Sequence, residues 1–349
     1  MSKQYKLAIL IGRFQPFHLG HLANFNKAYE VADNVLILVG SSFQPRTIKN
    51  PFTYEDREHM IRSTLADSSF SSTRYSISPI GDYSYNDNLW IRNVQEEVSK
   101  FNINDKDIAI LGHEKDESSW YLRAFPGWTF LPLSGFVEHG SKTIDATKIR
   151  ELYFEGHHGF IKGAVPNIIF NELTKFTFSA EYTTLVEEYE FIKSYKSQWA
   201  VAPYAPTFFT VDSVVLQGGH ILLVKRKHAP GKDLWAMPGG FLNQNETARV
   251  ACIRELREET GLKVPEPVLN GSITYEQLFD KPDRSLRGRT LTQAFLIELN
   301  GGDTKLPKVR GMDDAADAKW FPINEVLGMS DRLFEDHHSI ITSMVSRAK

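Results

Sequence analysis

The chain has 349 residues, of which 42% are hydrophobic, 12% aromatic and 24% charged, an ordinary globular composition at a length that predicts two domains. Forty Lys and Arg against 43 Asp and Glu give a formal net charge of −3, which excludes a global field that would attract nucleic acid or an anionic membrane. A single cysteine, Cys252, excludes an internal disulfide framework and a cysteine-rich zinc module. No apolar run nears the roughly 18 residues of a membrane helix. Lys3 and Lys6 precede an apolar stretch as in a secretory signal, but the stretch is short and Gly12-Arg13-Phe14 stands where a small-residue cleavage site belongs. A cytoplasmic enzyme is therefore expected.

In chain order, residues 7–11 predict a buried strand, and residues 19–31 a helix with Leu22, Phe25, Ala28 and Tyr29 at helical spacing. Residues 35–39 predict a second buried strand. Such a strand–helix–strand crossover is right-handed in nearly all cases. Helical patterning over 55–65 and 88–101 leads to a later strand at 108–112. The first half thus predicts an open, doubly wound, Rossmann-like parallel α/β sheet, with ligands beyond the carboxyl ends of its strands.

Gly12-Arg13-Phe14-Gln15-Pro16-Phe17-His18-Leu19-Gly20-His21 lies where the first strand ends and the first helix begins. Unpaired amides at a helix start suit phosphate oxygens. His18 and His21, three residues apart, face one point; Gly20 permits close approach, and Arg13 adds a positive fork. No Ser, Cys or Lys is placed as a covalent nucleophile, so the chemistry suggested is stabilisation of charge on a phosphoryl group. An isolated His-x-x-His is more often a zinc pair or a satisfied surface pair. Zinc wants more Cys or His than this neighbourhood offers, and the preceding strand, the glycine and the arginine turn the balance.

His18-Leu19-Gly20-His21 resembles the His-x-Gly-His signature of the nucleotidylyltransferase superfamily. The stretch from Gly12 to His18 resembles its nicotinamide mononucleotide (NMN) adenylyltransferase branch. Asn50-Pro51-Phe52-Thr53-Tyr54-Glu55-Asp56-Arg57 resembles that family's Asn-Pro-Phe-Thr segment. Ile144-Asp145-Ala146-Thr147-Lys148-Ile149-Arg150 resembles its second nucleotide motif, with Asp145 where serine is usual. The resemblance implies ATP held by Gly12, Arg13, Phe14, His18, His21, Thr147 and Arg150, with Arg13, His18 and His21 catalytic. Asp82-Tyr83-Ser84-Tyr85-Asn86-Asp87-Asn88-Leu89-Trp90 resembles the nicotinamide-recognition region. It implies Trp90 stacked on the pyridinium ring and Asp82 or Asn86 on the carboxamide or ribose.

Residues 183–199 predict a helix, and Ala202-Pro203-Tyr204-Ala205-Pro206 an extended connector. The expected limits are 1–182 for the first domain, 183–206 for the connector and 207–349 for the second domain. Strands over 208–216 and 220–225 are joined by Gly218-Gly219, a hairpin turn. More strands, one strong helix and a final helix follow, with no internal repeat.

The second half carries Gly240, then Glu246 after five residues, then Arg254-Glu255-Leu256-Arg257-Glu258-Glu259-Thr260-Gly261-Leu262 after seven more. On a helix Glu255, Glu258 and Glu259 share a face. Three like charges there repel unless a cation binds, and hard Mg²⁺ or Mn²⁺ suits an all-oxygen cluster. The competing account is a solvated face balanced by Arg254 and Arg257. Every fixed position resembles the Nudix box, which implies an α/β/α domain, Glu255 and Glu259 as metal ligands supported by Glu258 beside Gly240, and Arg254 holding the glutamates. Gly239 and Gly240 would form a tight ADP-ribose-binding loop. Asp283-Arg284-Ser285-Leu286-Arg287-Gly288-Arg289 resembles the ADP-ribose-handling branch. There Arg284, Arg287 and Arg289 either grip phosphate or ribose or line an ordinary solvated loop. Asp313 or Asp314 completes the metal site or serves as base. Cys252 reads as a small buried residue, and His157, His158, His337 and His338 as surface residues.

These resemblances cover nearly the whole chain and are those of the bifunctional NMN adenylyltransferase/Nudix hydrolase family, whose interdomain junction Tyr204-Ala205-Pro206-Thr207-Phe208 resembles. They imply ATP, NMN, NAD and ADP-ribose as partners, with no nucleic acid or membrane; the oligomeric state is left open. Two alternatives stand beside them. One is another acceptor, such as phosphopantetheine or a flavin, against which the Trp90 neighbourhood argues. The other is a non-catalytic ADP-ribose sensor, against which the retained Glu255, Glu258 and Glu259 argue.

Overall fold

The computed structural model describes residues 3–114, 117–133, 138–139, 142–143, 145–299 and 305–348. Ile144 of the second nucleotide motif lies outside them. The chain divides into two compact units, Met1–Glu187 and Glu188–Lys349.

In the first unit, β1 (Tyr5–Gly12), α1 (Leu19–Val31) and β2 (Ala32–Val39) are followed by α2 (Tyr54–Asp67) and β3 (Tyr75–Pro79). Then come α3 (Asp87–Ser99), β4 (Ile108–Gly112) and β5 (Thr129–Pro132). The five strands are parallel in the order β3-β2-β1-β4-β5. The runs in β1, β2 and β4 are continuous because these strands are covered on both faces. Leu7, Ile9, Leu36, Leu38, Ile108 and Ile110, for example, share one buried cluster with Val94 of α3. The strand order reverses direction between β1 and β4, so the crevice for a ligand opens at their carboxyl ends. The edge strands β3 and β5 escape a search for apolar runs. The first reads Tyr-Ser-Ile-Ser-Pro, and only Tyr75 and Ile77 are buried in it.

A two-residue ladder, β6 (Glu138–His139) with β7 (Lys142–Thr143), precedes α4 (Ala146–Phe154), α5 (Asn167–Phe176) and α6 (Ala180–Gln198). The last of these crosses the division between the units. No helix among the described residues is long and apolar enough to cross a membrane.

The second unit opens with β8 (Thr207–Gln217) and β9 (His220–Arg226). Gly218 and Gly219, at φ +52° and +73°, form the two-residue turn between them; two successive positive φ angles match the right-handed twist of the paired strands. Then come β10 (Trp235–Ala236), β11 (Gly239–Phe241), α7 (Ala248–Thr260), α8 (Glu266–Gly271), β12 (Ile273–Phe279), β13 (Arg289–Glu298), β14 (Ala315–Pro322), α9 (Ile323–Gly328) and α10 (His337–Val345). Seven strands form one mixed sheet, ordered β10-β9-β8-β13-β12, with β11 beside β8 and β14 beside β9.

Helix α7 starts on a Thr247 cap, whose side chain accepts from Val250 N, and ends at Gly261, whose φ of +58° is the left-handed conformation that stops a helix. Its inner face, Ala251, Cys252, Ile253 and Leu256, packs on Val211, Val215, Leu222, Phe295 and Ile297 of the sheet. Burial raises the Cys252 thiol pKa, consistent with a packing residue. The second unit thus owns an apolar core. A fragment of residues 188–349 is expected to unfold in one cooperative transition; a non-cooperative melt by circular dichroism would show that it needs the first unit.

Candidate active sites

In the first unit the segment leaving β1 turns directly into α1, and two histidines close the helix start. His18 is the N-cap: its Nδ1 accepts from Gly20 N at 3.1 Å, while His21 Nδ1 accepts from His18 N at 3.3 Å. Orphan amides at a helix start are usually satisfied by Ser, Thr, Asp or Asn; here imidazoles do it reciprocally. Because both Nδ1 atoms accept, the neutral rings carry their proton on Nε2 and present it as a donor. The rings stack with centroids 3.7 Å apart. Phe14, buried at φ +52°, sets its ring edge-on to His21 at 4.8 Å.

Guanidinium groups surround this segment. Arg150 is buried and donates from Nη1 to Gln15 O at 2.8 Å and from Nη2 to Thr147 Oγ1 at 3.3 Å. The Gln15 side chain exchanges two hydrogen bonds with the Phe52 backbone, at 2.8 and 3.0 Å. Arg57, fully buried, donates to the carbonyls of Thr53, Arg13, Gly40 and Ser41. Burial pushes both Arg57 and Arg150 down to about 10, and the Arg13 charge pushes each in the same direction. Arg13 Nη1 is itself buried with no hydrogen-bond partner among the described residues. Carboxylates oppose the lowering, Asp82 and Asp56 at Arg57 and Asp145 at Arg150, but the unsatisfied Arg13 donor remains a group that an anion would satisfy. Asp145 caps α4, accepting from Thr147 N at 2.9 Å, which is the role a serine would have there.

Of the residues expected at the nicotinamide end, Asp82 lies near enough to support the Arg57 charge. Asn86 caps α3 through Leu89 N at 3.1 Å. Trp90 is half-buried against the same apolar cluster as Ile11, with Trp120, Tyr121 and Phe125 around it at 5.6, 5.8 and 6.4 Å. Sequence reasoning missed Arg57, although it quoted the residue, and it missed His113. The latter follows β4 and bonds Asn24 of α1 at 3.2 Å. Its place immediately after the strand at the reversal point was the available signal.

In the second unit Arg254 is the hub of the glutamate face. Its Nε and Nη2 grip Glu246 at 3.0 and 2.7 Å, and its Nη1 bridges Glu255 at 2.8 Å and Glu258 at 2.9 Å. The Arg254 fork and the Asn243 backbone N–H bring Glu246 down to about 2. Glu259 turns the other way and accepts from Gly239 N at 3.0 Å. Burial raises Glu259 to about 8, with Glu255 and Asp212 pushing the same way against that N–H bond, and burial also raises Glu255. Among the described residues no three His, Cys, Asp or Glu form a ready metal cluster; Arg254 and Gly239 hold the carboxylates instead. The donor chemistry nonetheless fits a hard divalent cation, since Glu255 and Glu259 are raised despite the Arg254 and Arg226 charges and both offer carboxylate oxygens. Asp313, at φ +50°, stands near enough to raise Glu255 further.

Behind this face the structure corrects two expectations. His337 is buried, not at the surface: its Nδ1 accepts from Met237 N at 3.0 Å, its Nε2 lies 3.9 Å from Asp212, and burial lowers it to about 3. Arg284 does not sit on a solvated loop. It is buried, and its fork closes on Asp336 at 2.9 and 2.8 Å. Arg287 lies over the Phe241 ring at 5.3 Å, and Arg289 donates to Asp280 O.

The Cytidylyltransferase-like family matches residues 9–130, and the NUDIX domain matches residues 206–344. The nicotinamide/nicotinic acid mononucleotide adenylyltransferase of Acinetobacter baylyi is 36% identical over 186 residues, 53% of this chain and 94% of that protein. The ADP-ribose pyrophosphatase of Methanocaldococcus jannaschii is 36% identical over 131 residues, 38% of this chain and 69% of that protein. A Francisella tularensis bifunctional NMN adenylyltransferase/ADP ribose pyrophosphatase, solved with AMP and a Mn ion, aligns with TM-score 0.91 and 38% identity over 98% of this chain and 99% of its own. The chain belongs to the bifunctional NMN adenylyltransferase/ADP-ribose pyrophosphatase family. As expected from the sequence, this family member carries a parallel Rossmann-like sheet first and a Nudix domain second.

Glu259 titrates near 4.5 in an unfolded chain and at about 8 when folded, so its protonated form favours the folded state. That contribution is complete below the unfolded value and is lost as pH rises through the folded one. Metal-free protein is expected to lose second-unit stability as pH rises towards about 8, a divalent cation to restore it, and Glu259→Gln to flatten the slope. Urea unfolding across that range, with and without chelator, checks this; an unchanged slope in Glu259→Gln would remove Glu259 as the cause.

Proposed function

We propose that the first unit transfers the adenylyl group of ATP to NMN, releasing pyrophosphate and forming NAD, and that the second hydrolyses ADP-ribose to AMP and ribose 5-phosphate. The observation that supports the first reaction is the imidazole pair whose capping bonds engage both Nδ1 atoms, leaving the proton on Nε2, beside Arg13, whose Nη1 is buried with no hydrogen-bond partner among the described residues. A phosphate oxygen of NMN forms a bond to the α-phosphorus of ATP while the bond to the β-phosphate oxygen breaks. His18, His21 and Arg13 would donate to the oxygens on which charge grows, where preorganised donors are most effective. Thr147 and Arg150 would hold the polyphosphate, with Gly12 and Phe14 lining the nucleotide. Trp90 would stack on the pyridinium ring. Asp82 would take the ribose or carboxamide, and Asn86 would offer its amide donors, its oxygen being engaged in the α3 cap.

In the second unit, Glu255, Glu258 and Glu259 beside Gly240 would hold a divalent cation, which we assign as Mg²⁺, with Mn²⁺ suited to the same oxygens. When bound, that ion supplies charge neutralisation for a pyrophosphate and a more acidic water. Arg254 keeps Glu255 and Glu258 oriented. Gly239 and Gly240, packed too closely on Val211 and Glu255 for a side chain, would form the loop that meets ADP-ribose, and Arg287 and Arg289 would face its phosphate or ribose.

Purified protein with Mg²⁺ is expected to form NAD from NMN and ATP, and AMP from ADP-ribose, as resolved by chromatography. His21→Ala should lower NAD synthesis by roughly 10²–10³, the usual consequence of losing one transition-state donor, and leave ADP-ribose hydrolysis unchanged. Near-normal NAD synthesis in that variant would sink the assigned role. Glu259→Gln should abolish most hydrolysis and leave NAD synthesis within about twofold, as expected of uncoupled sites. Equal loss of both activities in a folded protein would replace independent sites with coupled ones.

A further inference from the structure

We propose that Arg57 is a positioning residue for adenylyl transfer: acting through the backbone of residues 13–15 and the Phe14 ring, it fixes the orientation of His21. The inference rests on the transferase reading above. Arg57 belongs to the first turn of α2 and is 0% exposed. Its guanidinium makes four hydrogen bonds, all to backbone carbonyls: Thr53 at 3.0 Å, Arg13 at 2.7 Å, Gly40 at 2.6 Å and Ser41 at 3.1 Å. Among the described residues no carboxylate lies within ion-pair distance of it. Asp82 and Asp56 support its charge from beyond that distance, but a buried cation whose hydrogen bonds all go to neutral oxygens is a poor source of stability, because an apolar side chain of similar volume avoids the desolvation. What the planar fork supplies is geometry. It ties the segment leaving β1, the segment leaving β2 and the start of α2 to one rigid group.

The segment leaving β1 is held from a second side. Arg150 donates to Gln15 O at 2.8 Å, and Gln15 is locked to Phe52 by two further bonds. Two buried guanidiniums therefore pin the carbonyls at positions 13 and 15, and Phe14 between them is held at φ +52°, a conformation that costs an L-residue with a side chain. That backbone turns the Phe14 ring back over Gly12, where an added Cβ would sit 3.0 Å from it. It also sets the ring edge-on to His21, with centroids 4.8 Å apart at 69°. His21 in turn stacks on His18 at 3.7 Å. A chain of rigid contacts thus runs from Arg57 to the imidazole proposed to meet the reacting phosphate. Lysine keeps the charge but cannot span four carbonyls in one plane.

The test uses the full-length protein with Arg57→Lys, Phe14→Leu and the double variant. Initial rates of NAD formation give kcat and both KM values, and ADP-ribose hydrolysis serves as an internal control. Arg57→Lys is expected to lower kcat by on the order of tenfold or more, the effect of a misplaced catalytic group, while both KM values stay within about twofold and hydrolysis is unchanged. Because both residues act along one chain of contacts, the double variant should be no slower than the slower single variant. Wild-type kcat in Arg57→Lys, a loss confined to KM, or losses that multiply in the double variant would each overturn the proposal. If Arg57→Lys does not fold, Phe14→Leu decides by itself: because Phe14 also lines the nucleotide its KM for ATP is free to change, and a lowered kcat supports the chain of contacts while an unchanged kcat overturns it. Wild-type protein that makes no NAD overturns the functional reading and this one with it. Wild-type protein that makes NAD beside a fully active Arg57→Lys overturns only the positioning role.

Discussion

The amides at the start of α1 have no carbonyl within their own helix to bond, and the way they are satisfied governs the rest of the first site. A serine or aspartate there would close the helix and do nothing else. His18 and His21 close it with Nδ1 atoms, 3.1 and 3.3 Å from their donors, so one act of capping also selects the tautomer, fixes the ring planes and leaves the proton on Nε2. The ring stacking, the edge contact from Phe14 and the placement of the segment leaving β1 all follow from holding those two rings still. A local requirement of helix formation has become the means by which a phosphoryl group would be met.

The two units solve opposite electrostatic problems by the same physics. Around the first site Arg57 and Arg150 are lowered chiefly by burial, with Arg13 adding to it and nearby carboxylates opposing it, so a bound anion would favour their charged forms. Around the second, burial and neighbouring carboxylates raise Glu255 and Glu259, so a bound cation would favour their charged forms. Each site is costly to the folded chain without its ligand. In each, an arginine maintains order: Arg57 by bonding carbonyls, Arg254 by spanning Glu246, Glu255 and Glu258.

What the sequence made legible was whatever repeats with the period of an element or reports on its ends. The strands β1, β2 and β4 and the helices α1 and α7 announce themselves by unbroken apolar runs, helical spacing and terminal residues such as Gly261. The edge strands β3 and β5 do not, because β3 carries Ser76 and Ser78 among its apolar residues and β5 is only four residues long with none of them buried. At the sites, residues that act through their own chemistry stood out in motifs. Residues that act through tertiary partners did not. Arg57 sits in a charged run, Tyr54-Glu55-Asp56-Arg57, and nothing local foretells four carbonyls from three segments. His337 looked like a surface residue, and Arg284 like a ligand-gripping or solvated one, because their partners, Met237 and Asp336, lie 100 and 52 positions away.

The glycines of the signature segments show how far a residue type can be read and where reading stops. Glycine ordinarily suggests left-handed backbone, yet Gly12, Gly20 and Gly240 are not among the positive-φ residues of this chain. Each is required by space. A Cβ on Gly20 would lie 3.0 Å from the His18 ring, one on Gly12 3.0 Å from the Phe14 ring, and one on Gly240 2.6 Å from a Glu255 oxygen. In all three cases the occupant is a side chain assigned to a site or aligned with one. The missing methyl group is therefore part of the site's geometry: the glycine is the complement of the functional side chain that folds over it. An alanine at any of these positions would keep the backbone conformation accessible and still displace the ring or carboxylate, so its effect would be expected on the chemistry before the stability.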